Sequence, residues 1–204
     1  MNVLVACEYS GAVRDAFKAR GHYAVSCDLL PTDAEGLHYQ GDVFDLIDRD
    51  PQFWDLMVAH PPCTYLCNSG VSWLYDRKTG ARNEARWDSM REGAQFFKRL
   101  LESGIPKIAV ENPIIHKHAK SIIGVDQTQL IQPWMFGHPE SKATCLWLKG
   151  LPPLVPTNDV KAIMKTLPKK QAQRLHMLPP SAERWKLRSA TFKGIAEAMA
   201  EQWG

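Results

Sequence analysis

Two short motifs carry residue types that could do covalent chemistry. His60-Pro61-Pro62-Cys63 sets a thiol directly after two prolines, and Glu111-Asn112-Pro113 sets a carboxyl group and an amide before a third. A thiol on a stiff loop keeps near-attack geometry, which is what a nucleophile needs. Such a thiol can add to the electron-poor C6 of a pyrimidine and make C5 a carbon nucleophile, if charge on the ring is stabilised. Glu111 is the candidate stabiliser, a carboxyl group able to hydrogen-bond N3 and N4 of cytosine and to share a proton there. Taken alone, Cys63 reads as a buried inert thiol; its pairing with Glu-Asn at a matching strand end favours chemistry.

Three further polar clusters sit where strands should end. Cys7-Glu8-Tyr9-Ser10-Gly11 turns into a helix whose first N–H groups could meet an anionic or carboxylate-bearing ligand, although the turn lacks G-x-G-x-x-G. Asp28 closes the second strand, at the distance expected of an acid that holds a ribose diol, and also fits an ordinary surface turn. Gly41-Asp42 could contact an adenine edge or cap a turn.

The elements that must position these groups follow from hydrophobic periodicity. Val3 to Ala6 reads as a strand, Val13, Ala16 and Phe17 as a helix up to Gly21, and Ala24 to Asp28 as a second strand, a βαβ opening. Leu56 to Ala59 is an apolar strand stopped by the prolines. Trp87, Met90, Ala94, Phe97 and Leu101 mark an amphipathic helix over 81–101, followed by a strand over 107–110. This alternation predicts an open, mostly parallel α/β sheet with helices on both faces and ligands at the C-terminal strand ends. Thr144 to Leu148 is a further strand. The division expected is a catalytic core over 1–149, a proline-rich, irregular basic segment over 150–188, and a final helix over 189–204 built on Ile195, Ala196, Met199 and Ala200.

Charge is unevenly placed. Residues 1–50 hold nine acids against four bases, whereas residues 142–193 hold eleven Lys/Arg against two acids, so the C-terminal third suits a polyanion or a solvated basic surface. Apolar runs stop well short of the ~20 residues a membrane helix needs, which argues against a membrane partner. Five cysteines at irregular spacing suggest free thiols in a reducing, cytoplasmic setting. Cys63, Cys67, His116 and His118 match no common zinc spacing, so no metal is expected.

In its order of motifs the chain resembles the cytosine C5 methyltransferases that use S-adenosylmethionine. The resemblance runs over residues 3–113: the first strand and glycine turn (Ala6 to Gly11), Asp28, Gly41-Asp42, Pro61-Pro62-Cys63 and Glu111-Asn112. It implies a Rossmann-like methyltransferase fold, with Cys63 as nucleophile, Glu111 as the residue that protonates cytosine, and Asn112 as a brace for the catalytic loop. It also implies S-adenosylmethionine held by Cys7, Glu8, Tyr9, Ser10, Gly11 and Pro61, with Asp28 on the ribose and Asp42 on the adenine amino group. Lys142 stands where the family's first catalytic arginine is expected, and Thr144 replaces the second. A lysine offers a point charge without the planar fork of arginine. Pro113 stands in place of the usual valine, and the first turn has one glycine where the family has two.

The family's long target-recognition region is reduced here to 150–188. Its Lys161, Lys165, Lys169, Lys170, Arg174, Arg184 and Arg188, with Trp185 interleaved, are the expected contacts to DNA, either single- or double-stranded. Tyr65, Asn68 and Ser69, on the loop after Cys63, are candidates to fill the gap left by an extruded base. Such compact members resemble those of phages and prophages, which points to a bacterial cytoplasm; the short segment leaves room for a homodimer. Two other readings stand beside this one: a methyltransferase fold that binds DNA without turnover, and C5 modification of RNA or of a free cytosine nucleotide.

Overall fold

The computed structural model describes residues 1–204 apart from the side chain of Pro51. Seven strands form one sheet: β1 (Asn2–Ala6), β2 (Tyr23–Asp28), β3 (His38–Gln40), β4 (Leu56–Ala59), β5 (Lys107–Asn112), β6 (Gln129–Ile131) and β7 (Thr144–Lys149). Their order is β3-β2-β1-β4-β5-β7-β6. The first five are parallel, and β7 runs antiparallel to both β5 and β6. This is the open, mostly parallel α/β architecture that the alternation of strands and helices predicts. The chain winds outward from β1 through β2 and β3, then returns to β1's other side with β4. The crevice beyond the C-terminal ends of β1 and β4 is therefore the topological switch point.

Sheet burial explains the short apolar runs. Val3, Val5, Leu56 and Val58 point to one face, where they pack with α1 (Ala12–Ala19) and α8 (Lys193–Trp203) through Val13, Phe17, Ile195, Met199 and Trp203. Leu4, Ala6, Met57 and Ala59 point to the other, against α3 (Glu84–Leu101) and α4 (Lys117–Ile123) through Met90, Ala94, Phe97 and Ala119. Because successive side chains alternate in a strand, a strand buried on both faces must be apolar at every position. Among the described residues no helix is long and apolar enough to cross a membrane.

The structure departs from the sequence reading in several short elements. A one-turn helix α2 (Val43–Ile47), the helix α4 and the edge strand β6 lie where the sequence gives no clear period. Residues 150–188 are not wholly irregular, because α5 (Lys161–Thr166) and α6 (Lys169–Ala172) lie within them and α7 (Arg184–Ser189) closes them. None of the three buries a side chain of its own, so no apolar stripe announces them. The segment is anchored instead at Leu154 and Leu175, both buried.

The opening βαβ unit is fastened by an arginine. Arg14 on α1 is fully buried and donates to Asp15, Ser26, Thr32 and the carbonyl oxygens of Ala34 and Glu35. It thereby pins the loop after β2 against α1. A Cβ on Gly11 would collide with this guanidinium, and Gly11 has φ +74°, so glycine is required on both counts. We expect Arg14→Met to lower the unfolding free energy by about 2–4 kcal/mol in urea denaturation, since several charged-donor bonds lose their partner. A loss under about 1 kcal/mol would mean that the loop is held by something else.

Candidate active site

Strand register sets the site. Ala6 pairs with Cys27 and with Ala59, and Ala59 with Val110. The residues one step further, Asp28, Cys7, His60 and Glu111, therefore stand in one row across the C-terminal edge of four adjacent parallel strands, about 4.8 Å apart per strand.

Two cavities open along that row. The smaller, about 130 Å³, is lined by Cys63, Glu111, His60, Asn112, Lys142 and Arg188 among others. The larger, about 450 Å³, is lined by Asp28, Asp42, Leu29, Val43, Tyr65 and Phe96 among others. Cys7 and Pro62 line both. Asp28 spends one carboxylate oxygen on the Leu30 N–H, and Asp42 spends one capping α2 at the Phe44 N–H. Each keeps Oδ2 for something else. Cys7 sits in the left-handed region, φ 58°, where β1 turns away. Its thiol is pushed up by burial and by Asp28, and that of Cys27 is pushed up to about 12 by the same causes. Both are inert wall.

Glu8 does not leave the helix start open to a ligand. Its buried carboxylate accepts from the Val13 and Arg14 N–H groups, while Ser10 Oγ accepts from Ala12 N–H. The N-terminus of α1 is thus capped from within, which corrects the expectation that its N–H groups are presented to an anion. Tyr9 is turned away from the larger cavity: its hydroxyl donates to the Lys186 carbonyl, and its ring packs on Trp185 at 5.6 Å.

The loop after β4 is braced on β5. Asn112 Nδ2 donates to the Pro61 carbonyl at 2.9 Å. The Cys63 carbonyl accepts from the Leu66 and Cys67 N–H groups, a single turn that sets Cys67 beside Cys63, and His116 and Ile114 tie the turn down from the segment after β5. Cys67 Sγ lies 3.1 Å from the Ser69 hydroxyl. The neighbouring Cys63 thiol, that hydroxyl and the N–H groups of Ser69 and Gly70 hold the Cys67 thiol well below its usual range, while Cys67, burial and Glu111 push Cys63 up. Negative charge on the pair is therefore favoured at Cys67 over Cys63. In the sequence Cys67 stands out only as a candidate metal ligand. Both ring nitrogens of His116 are engaged, by the Tyr65 carbonyl and the Ala119 N–H, and among the described residues no group of three or more His, Cys, Asp or Glu could hold a metal.

Glu111, the penultimate residue of β5, contacts His60: Nδ1 lies 3.0 Å from Oε2, with side chains 9% and 13% exposed. Burial alone would raise this carboxyl, but the His60 hydrogen bond and the nearby Lys142 charge outweigh it and hold it below the usual carboxylate range. Lys142 Nζ donates to the Arg188 carbonyl at 2.8 Å. This bond closes the end of α7 over the smaller cavity.

The remaining sequence candidates are scattered. Lys161 covers Trp134, Arg174 pairs with Glu140, and Arg184 Nε is buried without a partner among the described residues. Lys165 lies on α5, Lys169 and Lys170 on α6, and Asn68 and Ser69 open a 3-10 helix that ends at Leu74. A further set of basic and aromatic side chains stands outside the sequence candidates: Arg77 lies over the half-exposed Trp73 ring at 4.5 Å, Arg86 over Tyr65 at 4.9 Å, and Arg82 over Trp87 at 4.1 Å. Its signal was W-x3-R and R-x3-R spacing in a stretch whose mixed charge sums to little.

No protein-family model matches the chain, and no curated protein matches it. Among solved structures it is similar to a provisionally assigned DNA modification methyltransferase encoded within an E. coli prophage, with a TM-score of 0.45 and 13% identity. The match covers 82% of this chain and 55% of the other, so this chain spans little more than half of that one.

The thiol assignment has a direct readout. Iodoacetamide should label Cys67 first, at a rate nearly flat from pH 6 to 8, where an ordinary thiol would gain about tenfold per pH unit. Peptide mapping showing Cys63 labelled first, with a rate that climbs through this range, would reverse the assignment of charge within the pair.

Proposed function

We propose that the protein is a cytosine C5 methyltransferase acting on DNA with S-adenosylmethionine and covalent catalysis by Cys63. The observation that carries this reading is the pair of adjoining cavities, one holding Cys63 and Glu111, the other Asp28 and Asp42, with Cys7 and Pro62 in the wall of both. The residues of the larger cavity fit an adenosine-bearing cofactor. Two carboxylates each retain a free oxygen for hydroxyl or amino donors, and Leu29, Val43 and Phe96 supply apolar contact for a flat ring. Bound there, S-adenosylmethionine would supply an electrophilic methyl group.

The chain's own residues account for the rest. Cys67 takes the Cys63 proton as the Cys63 sulfur forms its bond to C6. The C5=C6 electron pair moves toward C4, the C4=N3 pair moves onto N3, and N3 takes a proton from Glu111. Covering Glu111 with the base removes its remaining water and raises its pKa toward the value such a donor needs. Asn112 keeps the Pro61–Cys63 loop in place throughout. After methylation, loss of the C5 proton to water expels the Cys63 sulfur, which takes its proton back from Cys67, and return of the N3 proton to Glu111 leaves the neutral aromatic ring. Trp73, Tyr65, Arg77 and Arg86, beside the loop that carries Cys63, supply stacking faces and cations for the strand on either side of an extruded cytosine.

The test is intact-protein mass after incubation with S-adenosylmethionine and an oligonucleotide containing 5-fluorocytosine, whose fluorine blocks the final elimination. The expected product is a methylated adduct absent from Cys63→Ala and formed at least tenfold more slowly by Cys67→Ala. DNA binding without any adduct would replace the enzyme with a binding protein, and no adduct and no binding would leave RNA or free nucleotides as substrate. Trp73→Ala should weaken DNA binding about 5- to 50-fold at fixed salt, as loss of one stacked base does. Arg77→Ala should lower the slope of log affinity against log salt by about one.

A further inference from the structure

His60 lies outside the residues by which the chain resembles C5 methyltransferases, yet its Nδ1 lies 3.0 Å from Glu111 Oε2. We propose that His60 is the positioning residue that sets the orientation and proton affinity of Glu111, an inference that deepens the proposed methyltransferase reading. A carboxylate only accepts, so at 3.0 Å from Oε2 the His60 Nδ1 carries the hydrogen. Oε2 is then fixed, and Oε1 is the oxygen left for a base in the cavity. His60 has no second polar tie, because Nε2 is buried without a partner among the described residues. The ring is held by its stiff position before Pro61, by its own N–H to the Ala6 carbonyl, and by Glu111.

Register makes the contact specific. With Ala59 paired to Val110, His60 and Glu111 are cross-strand neighbours on adjacent parallel strands. Their side chains share one side of the edge and open into the same cavity. The other charged or titratable groups there are Lys142 before β7, Arg188 at the end of α7, Cys7, Glu8 and Tyr9 after β1, and Cys63 on the proline loop. Lys142 also lowers the carboxyl, but through space and after the His60 hydrogen bond in size.

The consequence is a matter of proton affinity. When Glu111 gives its Oε1 proton to N3, the carboxylate left behind keeps the bond from Nδ1, which stabilises the product of that step. Without His60 the carboxyl holds its proton more tightly and swings more freely. Proton transfer becomes less favourable, while the protonated form survives to higher pH.

Two measurements separate this inference from the function on which it rests. Carbon-detected NMR titration of the Glu111 carboxyl needs no activity. His60→Ala should raise its midpoint by about one pH unit or more, and His60→Asn, whose amide N–H can replace Nδ1, should restore at least half of that shift. An unchanged midpoint in His60→Ala overturns the inference whether or not an adduct ever forms. In the fluorocytosine assay, the descending alkaline limb of adduct formation should move to higher pH in His60→Ala, with a maximal rate reduced about tenfold or more. A slower rate with an unmoved limb would assign His60 a merely structural role. Absence of any adduct from the unsubstituted protein would sink the methyltransferase reading and leave the titration to decide the His60–Glu111 link.

Discussion

The whole site depends on one constraint, the unbroken register of four parallel strands at the switch point. Asp28, Cys7, His60 and Glu111 lie far apart in the chain, and nothing local brings them together. They meet because Ala6, Cys27, Ala59 and Val110 are paired in line, so the first residues past those positions share an edge. A slip of one residue in β4 would move His60 away from Glu111 and turn its side chain to the opposite face. The buried apolar runs of β1 and β4 guard against this slip, since Leu4, Ala6, Met57 and Ala59 on one face, and Val3, Val5, Leu56 and Val58 on the other, match two different helical layers.

Stiffness in the loops builds on that register. Pro61 and Pro62 remove backbone donors and fix φ, which would leave an extended loop if nothing tied it down. Asn112 supplies the tie from the neighbouring strand, and the turn from Cys63 to Cys67 is bonded to the segment after β5. The thiol in the cavity is thus located by two strands and one turn. Its protonation is set by the same turn, because the N–H groups at the start of the 3-10 helix and the Ser69 hydroxyl converge on Cys67 and draw negative charge away from Cys63. A protonated Cys63 is poorly nucleophilic and correspondingly resistant to stray oxidation or alkylation. Its reactivity then requires an acceptor beside it.

What could be read from the sequence follows the reach of each interaction. Strands β1, β2, β4, β5 and β7, with helices α1, α3 and α8, were legible because each buries its own apolar pattern. Their order put Asp28, Asp42, Cys63 and Glu111 at the C-terminal edge of the sheet, where the structure has them. The helices within and closing 150–188 were not, since they bury nothing themselves and are held at Leu154 and Leu175. The His60–Glu111 contact was hidden for a different reason: the two residues are 51 positions apart, and their meeting depends on a pairing that no local pattern encodes. Cys67 lies only four residues from Cys63, but its meaning rests on where a single turn points the two sulfur atoms.

Glu8 shows how one residue type can reverse a motif's usual electrostatics. A glycine turn entering a helix ordinarily exposes N–H groups and the positive end of a dipole, a setting that attracts anions. Here Val13 and Arg14 give their N–H groups to Glu8, and the carboxylate is buried at the wall of the smaller cavity. The dipole is neutralised by the chain itself, and a second anion at that point would meet a fixed negative charge in a partly dry setting, where such repulsion is strong. The cations that line the cavity are Lys142 and Arg188, joined where Lys142 donates to the Arg188 carbonyl at the end of α7. A ligand filling this crevice must therefore present its positive or neutral part toward the β1 turn and its electron-rich part toward Lys142. That polarity suits a ring gaining negative charge beside Glu111 and Lys142 better than it suits a bound phosphate at the helix start.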